Sequence, residues 1–112
     1  MNAGAIVSVY ATFGNDEEAR RIGRLAVEEK LAACVNILGP CHSIYCWQGK
    51  VEEAGEVAAL FKTGADRAEA LIARIAVLHG YDVPAAMVWP IAAALDGYRD
   101  WVLAETRGPD DR

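Results

Sequence analysis

The sequence has few of the residues that carry catalysis or attract nucleic acid. Only two histidines occur in 112 residues, and no Ser/His/Asp arrangement, glycine-rich phosphate loop or His-Glu-x-x-His motif is present. Sixteen acidic residues outnumber 11 basic ones, and the densest basic cluster is Arg20-Arg21 with Arg24. Such a chain offers little attraction to phosphate backbones or anionic membranes. We therefore predict no enzymatic activity, no catalytic residue, and no nucleic-acid or membrane partner.

Long apolar runs and paired cysteines are also scarce. The apolar content of 54% is inflated by 21 alanines, and no run approaches the roughly 20 residues that span a bilayer. The three cysteines are an odd number and form no Cys-x-x-Cys pair, which is typical of a reduced protein. No positively charged segment precedes the first apolar stretch at Ile6, so no secretory signal is predicted. The composition favours a cytoplasmic protein with one domain, residues 1–112.

The most informative segment that is present is Ser43-Ile-Tyr-Cys-Trp-Gln-Gly-Lys50. An X-Gly pair between two strand-like runs predicts a two-residue hairpin turn, because glycine accepts the positive φ that the turn requires. The predicted arms are 34–47, with a bend at Gly39-Pro40, and 50–63. Each arm reaches about 46 Å at about 3.3 Å per residue, whereas a domain of this size is roughly 34 Å across. We predict that the hairpin holds copies of the chain together, since its apolar tip should not remain in water.

The other elements are predicted from hydrophobic spacing and caps. Asn15 is the expected cap of the first helix, and Asp96 is the expected cap of the third. A capping box at 66–69 is expected to start the second helix. The predicted strands are 5–12 and 83–91, and the predicted helices are 16–31, 66–79 and a last one from Asp96. The order βαββαβ predicts an α+β, ferredoxin-like sheet with two helices on one face. The last helix or neighbouring subunits then cover the other face, and residues 108–112 are expected to form a loose tail.

Six segments resemble, in order, the CutA divalent-cation-tolerance family. The most specific are the Lys30-Leu-Ala-Ala-Cys-Val-Asn36 block and the Tyr45-x-Trp-x-Gly-Lys50 hairpin tip; others lie at 9–13, 56–63, 79–84 and 98–101. The resemblance implies a trimer of ferredoxin-like subunits, locked by the long hairpins and similar in architecture to PII signalling proteins. It also implies a link to copper and other divalent metals.

The resemblance also implies a metal site, from which this chain departs. Some relatives bind metal through a cysteine at the end of the first strand, a histidine before a tyrosine and a glutamate after a proline. These positions correspond here to Ala11, His79 and Ala85. His79 is therefore the one candidate metal ligand, and the expected cofactor is at most a weakly bound Cu(II) or other divalent cation. Alternatively, His79 is a cation near a helix C-terminus, where it meets unpaired carbonyls.

Cys41, His42 and Cys46 also offer soft metal ligands. Neighbouring strand residues point to opposite faces, so Cys41 and Cys46 are expected on opposite sides unless a bulge intervenes. His42 and Cys46 share a face but are about 13 Å apart along the strand. A single strand therefore cannot assemble a site, and their roles stay open. A threefold axis could bring three copies of one residue together.

Two further groups are predicted to act between subunits. Lys62 follows an apolar run and is either a strand-end charge in water or a cleft cation for an anionic ligand; Tyr81 is the second cleft candidate. Tyr45, Trp47 and Trp101 are predicted at the trimer interface, where large amphipathic rings often pack.

We interpret the sequence as a non-enzymatic, CutA-like homotrimer associated with tolerance of divalent metal, with weak or altered metal binding. One rival is a PII-like sensor that binds a small anionic ligand between subunits through Lys62 and His79. Another is a structural scaffold for a partner protein. The physiological metal, the ligand and the partner stay open.

Overall fold

The computed structural model describes residues 4–107, so the predicted tail at 108–112 lies outside the described residues. Four strands and three α-helices form an α+β fold. Their bounds are β1 Ile6–Phe13, α1 Asp16–Glu28, β2 Cys34–Trp47, β3 Lys50–Gly64, α2 Ala68–Leu78, β4 Ala86–Pro90 and α3 Asp96–Glu105, with a 3₁₀ turn at Ala65–Arg67 before α2.

The four strands form one antiparallel sheet in the order β2-β3-β1-β4. β1 is an inner strand and is buried almost throughout, as its nearly continuous apolar sequence predicts. β4 is an edge strand that ends at Pro90. This position agrees with the prediction from its prolines, because proline cannot donate to a second neighbouring strand.

The hydrophobic core lies between the sheet and the helices α1 and α2. Side chains from alternate positions of β1 and β3 point to this face, since successive strand residues alternate between faces. They pack with residues of the two helices; the fully buried members include Val7, Val9, Phe13, Ile22, Ala26, Phe61, Leu71 and Ile75. α1 and α2 also contact each other, so both cover the same face of the sheet, as predicted.

The opposite face of the sheet is only partly covered. α3 packs over one end of it, where Val102 and Leu103 contact Ile6 and Ala33. Further along, Tyr10 stacks on Trp89 with ring centroids 4.7 Å apart. Trp89 remains 45% exposed and its neighbour Met87 43% exposed. A soluble domain rarely leaves such a contiguous apolar surface without a partner.

The hairpin of β2 and β3 is the longest feature of the molecule. The two strands pair continuously from Cys34 opposite Lys62 to Trp47 opposite Lys50, with one bulge between Ile37 and Gly39. The described chain measures 48 × 26 × 22 Å along its principal axes. The predicted arms, the turn and the bend are confirmed, since Gln48, Gly49 and Gly39 have φ of 50°, 82° and 106°.

Some boundaries differ from the predictions. α1 ends at Glu28 rather than near residue 31, because Lys30 has a left-handed φ of 61° and the Leu31 N–H bonds back to the Ala26 carbonyl. β4 begins at Ala86 rather than Val83, since Pro84 lacks the N–H that strand pairing uses.

The predicted caps are confirmed at one helix and wrong at two. Asn15 Oδ1 accepts a hydrogen bond from the Glu18 N–H at 2.8 Å, as expected for α1. The capping box at 66–69 does not form, because Ala65–Arg67 is a 3₁₀ turn, and α2 starts without a side-chain cap. Asp96 lies in the first turn of α3 and does not cap that helix.

The hairpin turn provides a stability test. Gly49→Ala should lower the free energy of unfolding by about 1–2 kcal/mol, because a Cβ is unfavourable at its left-handed φ of 82°. Gly55→Ala is the matched control in β3, since a Cβ at Gly55 meets no atom within 4 Å. Urea unfolding at one fixed protein concentration measures both variants. Equal losses at Gly49 and Gly55 would contradict the role assigned to the turn.

Candidate functional site

A cavity of about 600 Å³ lies between the hairpin and the loop that joins α2 to β4. This volume is within the range of small-molecule sites, about 300–1,000 Å³. The hairpin contributes Ser43, Tyr45, Cys46, Trp47, Glu52 and Glu56, the end of β1 contributes Thr12, and the loop contributes Gly80, Tyr81, Asp82, Val83 and Ala85.

The bulge in β2 determines which hairpin side chains face this cavity. Directly opposite residues of two strands share a face, and the register pairs Tyr45 with Glu52 and Cys41 with Glu56. Before the bulge, even-numbered Cys34 lies on this face, opposite Lys62. Because the bulge adds one residue to β2, the odd-numbered residues of β2 between the bulge and the turn lie on this same face. Tyr45 and Trp47 reach the cavity for this reason.

His79 attaches the loop to the end of β1. It is buried, and its Nδ1 accepts a hydrogen bond from the Tyr81 N–H at 3.1 Å. The hydrogen-bond pattern therefore assigns the ring proton to Nε2, which donates to the Thr12 carbonyl at 2.7 Å. The imidazole also stacks on Phe13, with ring centroids 5.0 Å apart. In this arrangement both ring nitrogens are already used.

Glu18 is a second anchor of the loop, and our sequence analysis did not identify it. Its carboxylate accepts from the Gly14 N–H at 3.1 Å and from the Gly80 N–H at 2.9 Å. It thereby joins the start of α1 to the loop. A Cβ at Gly80 would lie 2.8 Å from Glu18 Oε2, so glycine permits this contact. The only local signal is the position of Glu18, three residues after the cap Asn15.

Tyr81 connects the loop to the hairpin across the cavity. Its hydroxyl donates to Glu56 Oε2 at 3.0 Å. Burial, together with this hydrogen bond and the negative charge of Glu56, raises the pKa of Tyr81 from 10.0 to about 12. The phenol is therefore neutral near pH 7 and acts as a hydrogen-bond donor.

The described residues do not form a metal centre within one chain. Ala11 and Ala85 offer no donor atom, and both nitrogens of His79 are used. No group of three or more His, Cys, Asp or Glu side chains within residues 4–107 lies close enough to hold an ion. His79 as a metal ligand therefore stays a prediction.

The cysteines and His42 are separated as the strand geometry predicts. Cys41 and Cys46 belong to opposite faces of the ribbon, since Cys41 pairs with Glu56 and Cys46 with Val51, and of the two only Cys46 contributes to the cavity lining. His42 Nε2 lies 2.6 Å from Glu53 Oε1. The three cysteines are free thiols. The structure therefore assembles no shared soft-ligand site from this segment of one chain.

Lys62 is not brought to the cavity. It pairs with Ser8 in β1, four residues from Thr12 at the cavity. Its Nζ donates to Asn36 Oδ1 at 2.6 Å. Lys62 and Tyr81 therefore form no common site within one chain, and a shared role between subunits stays a prediction.

The three predicted interface rings are partly exposed in the single chain. Tyr45, Trp47 and Trp101 expose 40%, 41% and 43% of their surface. Trp101 packs beside Tyr98 on α3, far along the chain from the hairpin tip. Their burial between subunits stays a prediction.

Comparison with known proteins gives consistent matches along the chain. The family model described as CutA1 divalent ion tolerance protein matches residues 7–105. The divalent-cation tolerance protein CutA of Thermus thermophilus is 43% identical over 98 residues, which are 88% of this chain and 95% of that protein. The chloroplastic protein CutA of Arabidopsis thaliana is 38% identical over 101 residues, which cover 90% of this chain. The chain spans only 56% of the length of that plant relative.

A solved structure agrees with the fold. The periplasmic divalent cation tolerance protein CutA from Archaeoglobus fulgidus superposes with a TM-score of 0.88 at 34% identity, covering 91% of this chain and 99% of that one. The compartments named for these relatives differ, so location varies among them. Within residues 4–107, every helix is too short or too polar to cross a bilayer.

The contact between Tyr81 and Glu56 can be tested by titration. Glu56→Gln should lower the pKa of Tyr81 from about 12, although burial, the largest cause, should keep it above 10.0. The stabilisation linked to the raised pKa is complete below pH 10 and is lost as the pH rises towards 12. NMR of the tyrosine Cζ atoms measures the shift. Tyr98, with a pKa of about 12 raised by burial and by Cys34, is the internal control. An unchanged Tyr81 titration in Glu56→Gln would exclude the contact.

Proposed function

We propose that this chain, which belongs to the CutA1 divalent ion tolerance family, acts as a non-enzymatic, cytoplasmic homotrimer of ferredoxin-like subunits in tolerance of divalent cations such as copper. The strand order β2-β3-β1-β4 with two helices on one face supports the ferredoxin-like assignment. The CutA proteins of Thermus thermophilus and Archaeoglobus fulgidus are named as divalent-cation tolerance proteins. The three free thiols are compatible with a reducing compartment.

The observation that carries the proposal is the hairpin that extends beyond its own core. Along its distal half, all side chains from Ile44 to Glu53 are exposed in one chain. Ile44 and Val51 expose 66% and 76% of their surface, and Trp47 lies at the turn. A two-stranded ribbon is marginally stable by itself. Contacts with neighbouring copies supply the burial that this ribbon lacks, and the same copies can cover the open face at Trp89.

We expect weak metal binding because both ring nitrogens of His79 already take part in hydrogen bonds. A cation bound to this imidazole must displace the hydrogen bond to Thr12 or the one from Tyr81. Ala11 and Ala85 supply no compensating ligand. The proposed role therefore involves transient, low-affinity contact with divalent cations and no resident metal.

The rival sensor for an anionic ligand has less support. Of the described residues that line the cavity, none is basic, and Lys62 is bonded to Asn36 on another part of the sheet. An anion in this cavity would meet three carboxylates. Neither the geometry nor the similar proteins favours a particular partner protein for a scaffold role.

The molecular mass in solution tests the proposed trimer. Light scattering should give about three times the chain mass of 12.1 kDa at micromolar concentration. Trp47→Ala should lower both the mass and the melting temperature, because truncating a buried tryptophan costs about 3–5 kcal/mol. Val77→Ala is the control, since Val77 is 74% exposed on α2, away from the hairpin. A wild-type mass of one chain, or unchanged assembly in Trp47→Ala, would contradict the proposed hairpin contact.

Metal binding is tested by calorimetry with Cu(II). The wild-type protein should bind with micromolar or weaker affinity, where micromolar corresponds to about 8 kcal/mol. His79→Ala should weaken the binding, and Ala85→Glu should strengthen it by adding a carboxylate at the cavity. Ala73→Glu, which adds the same charge on the exposed surface of α2, should have no such effect. Tight binding that survives His79→Ala would place the site elsewhere, at Cys41, His42 or Cys46.

A further inference from the structure

We infer that Glu18 is a positioning residue that keeps the α2–β4 loop closed and thereby controls whether the imidazole of His79 can be reached by an external ligand. The inference rests on the proposed function in that it concerns the regulation of the same histidine. Every contact on which it depends lies within one chain, so the closed loop needs no neighbouring copy.

Glu18 uses each of its carboxylate oxygens for a different backbone N–H. Oε1 accepts from Gly14 at 3.1 Å, in the turn before α1, and Oε2 accepts from Gly80 at 2.9 Å, in the loop. A glutamate three residues after a helix cap ordinarily bonds back to the N–H of the cap residue. Here the cap is Asn15, and Glu18 instead bonds to the residue before it and to the loop. This side chain therefore joins the loop to the start of α1.

Gly80 lies between the two residues whose geometry determines the state of the imidazole. The Tyr81 N–H donates to Nδ1 of His79 at 3.1 Å, and Nε2 donates to the Thr12 carbonyl at 2.7 Å. Because Gly80 is the single residue between His79 and Tyr81, a fixed position of its N–H also fixes the short turn that brings the Tyr81 N–H to Nδ1. Glu18 therefore acts on His79 through the loop backbone.

The rings on either side of His79 add to the closed arrangement. The imidazole stacks on Phe13 and contacts the ring of Tyr81, with centroids 4.6 Å apart in the second pair. His79 is 8% exposed as a result, so the loop must move before either ring nitrogen can be approached from solvent. The hydrogen bonds of Glu18 oppose that movement, and bonds to an ionised acceptor are roughly twice as strong as neutral ones.

The residues present do not fit a resident metal, because Ala11 and Ala85 offer no donor atom and both nitrogens of His79 are used. Access to the imidazole then depends on the fraction of molecules in which the loop is open. The apparent affinity of any ligand falls in proportion to the fraction of molecules that can bind it. Glu18 lowers that fraction, and its removal should raise it.

Chemical modification of His79 tests the inference without any metal. Diethyl pyrocarbonate acylates accessible imidazole nitrogens, and mass spectrometry of peptides separates His79 from His42, the only other histidine of the chain. Glu18→Gln keeps the size of the side chain but leaves one acceptor oxygen where the carboxylate offers two. At pH 7, His79 should react at least about threefold faster in this variant than in the wild-type protein, whereas His42 should react at an unchanged rate.

Two further variants make the test specific. Glu17→Gln removes the same charge from the same helical turn, and the Glu17 carboxylate lies 3.7 Å from Arg21 on an exposed part of α1. This control should leave the rate of His79 unchanged. Gly80→Ala attacks the contact from the loop side, because its Cβ would lie 2.8 Å from Glu18 Oε2. It should also accelerate the reaction of His79. Light scattering and the melting temperature of each variant identify a general loss of folding.

Calorimetry with Cu(II) gives a second readout, in which charge and position act in opposite directions. Loss of a carboxylate by itself weakens the attraction of a cation, as in Glu17→Gln. Because an open loop exposes His79, Glu18→Gln should bind Cu(II) severalfold more tightly than Glu17→Gln. Faster modification of His79 without copper binding in any protein would support the inference and contradict the proposed contact with cations. Equal rates for His79 in the wild-type protein, Glu18→Gln and Gly80→Ala would overturn the inference.

Discussion

The antiparallel pairing of β2 with β3 is the interaction on which the rest of the structure depends. Near the core it completes the sheet, because β3 pairs with β1 from Val57 to Gly64. Beyond Val57 the same ladder continues to the turn without a third strand. The pairing therefore both closes the core and projects a ribbon that one chain does not cover, and the proposed self-association rests on this excess length.

The bulge in β2 and the contacts of the α2–β4 loop together form the cavity beside this ribbon. One extra residue between Ile37 and Gly39 turns Tyr45 and Trp47 towards the α2–β4 loop. His79 and Glu18 then hold that loop against the end of β1 and the start of α1. Nε2 of His79 makes the contact with β1 and Nδ1 accepts a hydrogen bond within the loop, so neither nitrogen is free for a metal in this arrangement. The described lining of the cavity combines aromatic rings with three carboxylates and has no basic residue.

Strong local signals made much of the fold predictable, and distant contacts made the site less so. The turn at Gln48-Gly49, the bend at Gly39 and the cap at Asn15 depend on a few adjacent residues, and all were predicted. The end of α1 was missed because the left-handed conformation of Lys30 has no clear sequence signal. The bonds of Glu18 to Gly80 and of His79 to Thr12 join residues 62 and 67 positions apart. Lys62 and Tyr81 were both predicted as cleft residues, but within one chain Lys62 pairs with Ser8 and only Tyr81 lines the cavity.

Hydrogen exchange at the hairpin tip tests most directly whether copies of the chain cover the ribbon. In the proposed trimer, the paired amides between Ser43 and Glu53 should exchange almost as slowly as those of the inner strand β1. Dilution, or Trp47→Ala, should then accelerate exchange at the tip while β1 stays protected, because an isolated ribbon opens readily. Tip amides that exchange at the rate of an unprotected peptide at high protein concentration, beside a protected β1, would contradict the claim that the hairpin holds the copies together.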